Sequence, residues 1–407
     1  MTQHAGKQRI IVVGGGFAGL WSAAAAARAR ELFGIDPAAL EIALVAPDPF
    51  HTIRVRCYED DLAAIRLPLD DLLAPIGVTR IAAAVSAIHA VGRTLATGVG
   101  PLAYDRLILA AGSALTMPAV PCAQPTFDVD SYAGAERLAA HLSALASGPR
   151  DGAAETAVVI GGGLAGVEIA CELPGRLRAL FGEGAPVRVV LVDRHEIGAA
   201  MRAGAATVRA ALAAAGVEVR DHSGIAAVEA DGVQLTDGTH IPSRTVIFTT
   251  GAHASPLAGQ LGVPLDRLGR VAVDAFMKVE GVADVYAAGD CAVAAADDLG
   301  HVTVMSCQHA RPMGRLAGHN AVCDLAGRLS DRVAFSAPDY VTVMDLGPAG
   351  AVYTSGWDRD TLVASGAEAK TVKQTINCNR IYPPVPATKE AMFAAAAPVL
   401  QAPPATR

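Results

Sequence analysis

The sequence of 407 residues is poor in aromatic and charged residues, which make up 4% and 18% of it. Alanine is abundant and 52% of the residues are hydrophobic, a composition that is typical of soluble α/β proteins with helices packed on Val/Ile/Leu strands. The net charge is −7, so the sequence lacks the basic excess that a nucleic-acid-binding surface requires. We therefore expect a multi-domain α/β protein that does not bind nucleic acid.

Long hydrophobic runs are also absent. Arg, Asp, Gly or Pro interrupts each apolar stretch before it reaches the roughly 18 residues that a transmembrane helix needs. The first residues pass from a short polar segment directly into an apolar run, without the hydrophobic region of a secretory signal. We therefore expect no integral membrane segment and a cytoplasmic protein.

Closely spaced cysteines are the third absence. The sequence contains no C-x-x-C pair, and its seven cysteines are scattered: Cys57, Cys122, Cys171, Cys291, Cys307, Cys323 and Cys378. An odd number of scattered cysteines argues against a disulfide framework and against a thiolate zinc site. No metal is expected.

A glycine-rich turn is present near the N-terminus, in the segment QRIIVVGGGFAGLWSAAAAA that begins at residue 8. An apolar run suited to a buried parallel strand precedes Gly14, Gly16 and Gly19, and an Ala-rich helical pattern follows them. In a dinucleotide-binding turn, the first glycine allows the tight bend, the second admits the pyrophosphate, and the third lets helix and strand pack closely. The helix N-terminus then directs free N–H groups at the phosphates.

The same turn occurs a second time, in the segment TAVVIGGGLAGVEIACEL that begins at residue 156. Here the three glycines are Gly161, Gly163 and Gly166. In both copies the next strand ends 32 residues after the first glycine, at Ala46 and at Asp193. Each half later ends on an apolar strand that is closed by a glycine, at Gly112 and at Gly251. The repeat predicts two Rossmann-like dinucleotide-binding folds in one chain.

The two copies differ at the end of the second strand, where an acidic residue normally binds the adenosine ribose. Asp193 has this position in the second copy, although a solvated carboxylate at a strand end is the alternative interpretation. The first copy has Ala46, and Asp48 in the following loop is the candidate that replaces the missing carboxylate.

A third segment, VYAAGDCA, contains Gly289 and Asp290 at the end of a strand-like run. An aspartate after small residues is well placed to hydrogen-bond a polyol chain that passes close to the backbone. A local turn or a helix N-cap is the alternative role of such an aspartate.

Taken in order, G-G-G-F-A-G, Y-D-x-L-I-L-A-x-G, G-G-G-x-x-G-V-E-x-A-x-E-L and Y-A-x-G-D-C-A resemble the pyridine-nucleotide flavoprotein oxidoreductases, and type II NADH dehydrogenases most closely. The resemblance implies FAD as cofactor and NADH as substrate. It assigns to FAD the residues Gly14, Gly16, Gly19 and Asp290. Further FAD candidates are Gly112 and Gly289 in the matching segments, Asp48 from its position in the loop after Ala46, and Arg54, for which a surface arginine is the alternative role. It assigns to NAD(H) the residues Gly161, Gly163, Gly166, Asp193 and Gly251.

The resemblance also predicts the domain organisation. The FAD domain is discontinuous, comprising residues 1–125 and 280–330, with the NAD(H) domain at residues 126–279 between its halves. Residues 331–407 form a small α+β domain, with a hairpin around residue 347 followed by a helix. In this superfamily such a domain covers the flavin or forms the interface of a homodimer, and the sequence leaves both roles open.

The implied chemistry is hydride transfer from NADH to flavin N5, followed by electron transfer to a quinone, a small redox molecule or a protein. Glu168 matches the family's glutamate beside the nicotinamide, with stabilisation of the helix N-terminus as its alternative role. NADH is expected because Asp193 would repel the 2′-phosphate of NADPH, although Arg194 and His195 offer that phosphate a binding site.

The acceptor side of the sequence is less regular. Gln308 matches the quinone-side pattern of type II NADH dehydrogenases, but Pro312 replaces a second glutamine and is expected to kink or restart the helix. Because no cysteine pair is present, the electrons should leave the flavin directly. Two alternatives remain: a single-cysteine disulfide or persulfide reductase that uses Cys57, with Arg54 nearby, and an NADH-responsive redox sensor with little turnover.

Overall fold

The computed structural model describes residues 7–116, 119–399 and 402–405. The strands of the first part of the chain are β1 (Gln8–Val13), β2 (Leu40–Val45), β3 (Phe50–Thr52), β4 (Arg66–Pro68), β5 (Thr79–Ile81), β6 (Val85–His89), β7 (Thr94–Thr97), β8 (Leu102–Ala103), β9 (Arg106–Leu109) and β10 (Ser113–Leu115). The following strands are β11 (Thr156–Ile160), β12 (Arg188–Val192), β13 (Val217–Arg220), β14 (Ile225–Val228), β15 (Gly232–Leu235), β16 (His240–Pro242), β17 (Thr245–Phe248), β18 (Ala252–Ala254) and β19 (Val271–Ala272). The last strands are β20 (Val285–Ala287), β21 (Ala292–Val293), β22 (Val341–Asp345), β23 (Ala351–Ser355) and β24 (Thr361–Ser365).

The helices alternate with the strands, as the sequence predicts for an α/β protein. They are α1 (Phe17–Leu32), α2 (Leu69–Leu73), α3 (Tyr132–Ser147), α4 (Leu164–Phe181), α5 (Ala205–Ala215), α6 (Cys307–Leu325), α7 (Gly366–Thr375) and α8 (Lys389–Ala395). Within the described residues, no helix combines the length and the hydrophobicity that crossing a lipid bilayer would require.

The first glycine turn belongs to a parallel five-stranded sheet with the order β5-β2-β1-β9-β20. Its central strand β1 is buried on both faces, which explains the continuous apolar run before the turn. Strand order reverses between β1 and β9, and ligands of such sheets bind at the carboxyl ends of the strands at this point. Strand β20 joins the sheet from beyond the second repeat, so the prediction of a discontinuous first domain is confirmed.

The second glycine turn belongs to a parallel sheet with the order β13-β12-β11-β17. Strand β11 has the central place that β1 has in the first sheet, and all five of its residues are buried. The predicted pair of Rossmann-like sheets is therefore confirmed.

The C-terminal part of the chain forms an antiparallel sheet with the order β22-β23-β24. A short turn at Gly347–Ala349 connects the first two strands, which is the hairpin that the sequence predicts. Helix α7 follows β24 and continues into a π-helical turn at Ile376–Arg380. The predicted small α+β unit is thus present, and its helix α7 packs on β22, β23 and β24.

Helix α6 lies directly against α1, the helix that begins at the first glycine turn. Methyl groups at Gly314 and Gly318 would overlap the carbonyl oxygens of Ala18 and Ser22, so the two helix backbones are in contact. The expectation that Pro312 restarts the helix is wrong, because α6 runs unbroken from Cys307 to Leu325. Near a helix start, proline removes one backbone hydrogen bond, and the close packing on α1 holds the remaining turns in place.

Candidate active site

One cavity of about 1040 Å³ lies at the carboxyl ends of the strands of the first sheet. The first glycine turn, the start of α4, the start of α6 and the C-terminal helix α7 all contribute residues to its wall. The cavity therefore connects the two dinucleotide-binding folds with the C-terminal domain.

The first glycine turn forms a cradle at one end of this cavity. Gly14 has φ +113°, and a methyl group there would overlap the carbonyl oxygen of Ala110. No atom lies within 4 Å of the Cβ position of Gly16, which precedes α1. Because no side chain caps the N-terminus of α1, its first N–H groups are left for a ligand. These features fit a dinucleotide pyrophosphate. Gly19 packs against the backbone of Gly14 and does not belong to the cavity wall as described.

A polar cluster in the wall of this cavity contains Asp290 and Arg54. Ser113 donates a hydrogen bond to the Asp290 carboxylate at 2.7 Å, and the Arg54 guanidinium lies 3.8 Å from the same carboxylate. Arg54 also forms an ion pair with Asp130 at 2.5 Å. Burial lowers the pKa of Arg54, but the two aspartates outweigh that effect and raise it. Gly112 and Gly289 line the same wall, so predicted FAD residues from three segments of the chain meet here.

Asp48 lies at the edge of the cavity, in the loop after β2. It accepts hydrogen bonds from the Phe50 N–H at 3.0 Å and from Arg66 at 2.7 Å, and its side chain is 51% exposed. The carboxylate that the first copy lacks at Ala46 is thus present nearby, already paired with an arginine.

The second glycine turn repeats the first in its geometry. Gly161 has φ +114°, and a methyl group at Gly166 would overlap the carbonyl oxygen of Gly161. No atom lies within 4 Å of the Cβ position of Gly163, and no side chain caps α4. Asp193 accepts a hydrogen bond from the Gly162 N–H at 2.7 Å, which brings the carboxylate to the turn.

The residues of the second turn are not in the described wall of the cavity, and neither are Asp193 and Gly251. Leu164, Ala165 and Glu168 of α4 do line it. The second turn therefore lies outside the cavity, while the helix that begins there leads into it.

Glu168 forms a buried ion pair that the sequence did not predict. Its carboxylate lies 2.7 Å from the Nζ of Lys373 on α7, and the two residues are 7% and 8% exposed. The same oxygen accepts a hydrogen bond from the Asp345 N–H at 3.0 Å. Burial raises the pKa of Glu168, and Lys373 opposes this effect. Burial alone would lower the pKa of Lys373, but the neighbouring Glu168 carboxylate raises it.

The start of α6 faces the same cavity with Cys307 and Gln308. Gln308 donates a long hydrogen bond of 3.4 Å to the carbonyl of Asp339. Trp357 stacks on the rings of His301 and Tyr340.

Cys57 has the properties of a structural cysteine. Its side chain is fully buried, burial raises the pKa of its thiol to about 12, and it does not belong to the cavity wall as described. All seven cysteines lie within the described residues, and all of them are free thiols. The thiolate that a redox-active cysteine needs is therefore disfavoured at Cys57.

Comparison with known proteins identifies the family. The model of the pyridine nucleotide-disulphide oxidoreductases matches residues 8–314. NADH dehydrogenase-like proteins of Mycobacterium tuberculosis are 50% identical over 399 residues, which cover 97% of this chain and 99% of the relatives. The demethylphylloquinone reductase of Synechocystis is 27% identical over 301 residues, 70% of this chain and 72% of that protein. The structure of NDH2 from Plasmodium falciparum in complex with NADH superposes with a TM-score of 0.76 at 12% identity, covering 96% of this chain and 97% of that chain.

The chain therefore belongs to the pyridine nucleotide-disulphide oxidoreductase family. This membership confirms the predicted enzyme class, an FAD-dependent NAD(P)H oxidoreductase, and its cofactors.

Proposed function

We propose that this member of the pyridine nucleotide-disulphide oxidoreductase family takes hydride from NADH onto FAD and passes the electrons directly to a quinone or another small acceptor. The cavity carries this proposal, because its wall combines the first glycine turn, the helix of the second turn and the start of α6. One cavity thus adjoins the turn that would bind FAD, the helix that would bind NADH and the start of α6, where the acceptor would bind.

The residues that would hold FAD are those around the first turn. The N–H groups at Gly14, Gly16 and the start of α1 would bind the pyrophosphate. Asp290 would accept hydrogen bonds from the ribityl chain, and Arg54 and Ser113 hold its carboxylate in place. When bound, FAD supplies the two-electron chemistry that the amino acids lack.

The residues that would hold NADH are those of the second fold. The uncapped N-terminus of α4 would bind the pyrophosphate, and Asp193 would accept hydrogen bonds from the adenosine ribose. A carboxylate at this position repels a 2′-phosphate, which favours NADH over NADPH. Glu168 would contact the nicotinamide end, with Lys373 fixing the position of its carboxylate.

Direct exit of the electrons is supported by the state of the cysteines. Cys57 is buried with a raised pKa, and the chain forms no disulfide among its seven described cysteines. A quinone as acceptor is supported by Gln308 in the cavity wall and by the relative that is a demethylphylloquinone reductase.

Reoxidation kinetics of the Cys57→Ser variant test whether the electrons pass from the flavin to the acceptor without a cysteine intermediate. The protein is reduced anaerobically with NADH and mixed in a stopped-flow instrument with a quinone, a persulfide or oxygen. We expect quinone reoxidation in Cys57→Ser to stay within about twofold of wild type, as in the exposed control Cys122→Ser. Loss of acceptor turnover only in Cys57→Ser would instead establish the persulfide reductase.

A sensor role has a different signature in the same experiment. Slow turnover with every acceptor, together with a change in oligomeric state on addition of NADH, would replace the proposed enzyme with a redox sensor.

The finer organisation is part of the same proposal. We assign residues 1–125 and 280–330 to the FAD domain, residues 126–279 to the NAD(H) domain, and residues 331–407 to a C-terminal domain that mediates a homodimer. We further expect a cytoplasmic protein. Sedimentation analysis and cell fractionation check these two expectations.

A further inference from the structure

A second cavity of about 520 Å³ adjoins the first one, between α6, the π-helical turn and the segment after α8. Three arginines, Arg311, Arg315 and Arg380, line both cavities. Among the described residues of its wall, the second cavity has no aspartate or glutamate. A positive field from three guanidinium groups is therefore concentrated where the two cavities share a wall.

Arg315 is the best-defined member of this cluster. It is 3% exposed, and its guanidinium lies 5.0 Å from the ring centre of Trp21 on α1. It donates a hydrogen bond of 3.4 Å to the carbonyl of Val399, and its buried Nε has no hydrogen-bond partner in the described parts of the chain. Burial lowers the pKa of this guanidinium to about 10.

The fold holds this charge in place. Arg315 follows Gly314, whose contact with Ala18 fixes α6 on α1. Arg311 lies one helical turn earlier and donates a hydrogen bond of 2.6 Å to the carbonyl of Arg380. The proximity of Arg315 and Arg380 contributes to lowering the pKa of Arg311, after burial, to about 10. Like charges that are kept together inside a protein destabilise it unless an anion joins them.

Guanidinium groups match the geometry of carboxylate, sulfonate and phosphate groups, each of which accepts two parallel N–H bonds. Arg315 has a buried donor without a partner, and Arg380 belongs to the half-buried wall of the same space. A neutral isoprenoid quinone offers these groups no compensating charge.

We infer that the second cavity binds an anionic group of the electron acceptor, so that the preferred acceptors are small redox molecules with a carboxylate, sulfonate or phosphate substituent. This inference rests on the proposed function. The reaction balances as NADH, one proton and a quinone giving NAD⁺ and the hydroquinone, with the quinone taking up two electrons and two protons. The anionic substituent is unchanged and serves only for binding.

Steady-state kinetics with a matched pair of acceptors test the inference. We compare 1,4-naphthoquinone-2-sulfonate with 1,4-naphthoquinone in wild type and in Arg315→Gln. We expect kcat/KM for the sulfonate to fall at least tenfold in Arg315→Gln, mainly through KM, and kcat/KM for the neutral quinone to stay within about twofold. The control is Arg328→Gln, because Arg328 is an exposed arginine just after α6 that pairs with Asp331.

A binding measurement without turnover completes the test. We titrate the flavin-loaded protein with naphthalene-2-sulfonate, which accepts no electrons, in a calorimeter. Binding should weaken at least tenfold in Arg315→Gln and in Arg380→Gln, and stay unchanged in Arg328→Gln. Arg380→Gln provides the same test if Arg315→Gln does not fold.

Two results would overturn the inference: equal effects of Arg315→Gln on both quinones, or sulfonate binding that is the same in all variants. Failure of the proposed function is distinguishable, because it would appear as a flavin that NADH does not bleach while sulfonate binding is still measurable.

Discussion

At the scale of single residues, backbone contacts leave no room for a side chain at Gly14, Gly19 and Gly166 of the two turns. Gly19 and Gly166 each lie against the carbonyl of the first glycine in their turn. This requirement is local, so the sequence alone was sufficient to locate both turns. Lys373 is different, because it pairs with Glu168 across 205 positions of the chain. No local pattern marks such a partner, and only the packing of α7 on α4 brings the two residues together.

The Glu168–Lys373 pair predicts a non-additive effect on stability. Removing one charge leaves the other buried without a counter-ion, which costs about 3–5 kcal/mol. We expect Glu168→Gln and Lys373→Met each to lower the free energy of unfolding by roughly this amount, and the double variant to lose less than either single variant. Urea unfolding followed by circular dichroism measures all four proteins. Strictly additive losses would show that the two groups do not interact.

At the scale of elements, the contact between α1 and α6 places the start of α6, where the electron acceptor would bind, beside the glycine turn that would bind FAD. The sequence predicts α1 from the Ala-rich pattern after the first glycine turn, and a helix in the segment that contains Gln308 and Pro312. It does not predict that their backbones are in contact, because a glycine inside a helical pattern does not show which element it packs against. The sequence left open a kink or a restart of the helix at Pro312. The restart does not occur, and the packing of α6 on α1 is not visible in the local sequence.

Gly318→Ala tests this helix contact. The new methyl group would overlap the Ser22 carbonyl and lie 2.9 Å from the Ala26 nitrogen, both of which are backbone atoms. We expect a loss of roughly 3 kcal/mol in the free energy of unfolding, measured by urea unfolding. The matched control is Gly175→Ala on the open face of α4, where no atom lies within 4 Å of the new methyl group. That substitution should stabilise the protein by about 0.5–1 kcal/mol. Equal effects of the two substitutions would contradict the contact.

Strand β3 is joined to the first glycine turn by His51, which predicts a pH-dependent stability. His51 is fully buried, and its Nδ1 lies 3.0 Å from the carbonyl oxygen of Gly15, which accepts the hydrogen bond. Burial lowers its pKa from 6.5 to about 4, although the bond to Gly15 opposes this effect. Between these pH values the unfolded chain binds a proton that the folded chain does not, so stability falls as the pH falls.

The loss that His51 causes should reach about 3 kcal/mol by pH 4, at 1.36 kcal/mol for each pKa unit. We expect the unfolding free energy of His51→Gln to depend less steeply on pH between 7 and 4 than that of wild type. The difference in slope should correspond to about one proton fewer taken up on unfolding. His89→Gln, which changes an exposed histidine on β6, should keep the slope of wild type. A His51→Gln slope that equals that of wild type would rule out His51 as the source.

At the scale of the whole molecule, the sequence predicts the order of the domains because each copy of the glycine turn indicates one of the two parallel sheets. The sequence does not predict the part of the cavity where the electron acceptor would bind. The wall of the cavity there is assembled from α6, α7 and the C-terminal segments, and their side chains meet only after the three units have packed. The arginines of the second cavity belong to this side, which explains why no motif pointed to them.

The central claim is that two nucleotide-binding folds in one chain bring NADH to a bound flavin. Anaerobic titration of the purified protein with NADH, followed by absorbance near 450 nm, tests this claim most directly. The account predicts a yellow protein whose flavin is bleached by about one equivalent of NADH per FAD, and by NADPH only at much higher concentration. A colourless protein, or a bound flavin whose absorbance NADH leaves unchanged, would contradict it.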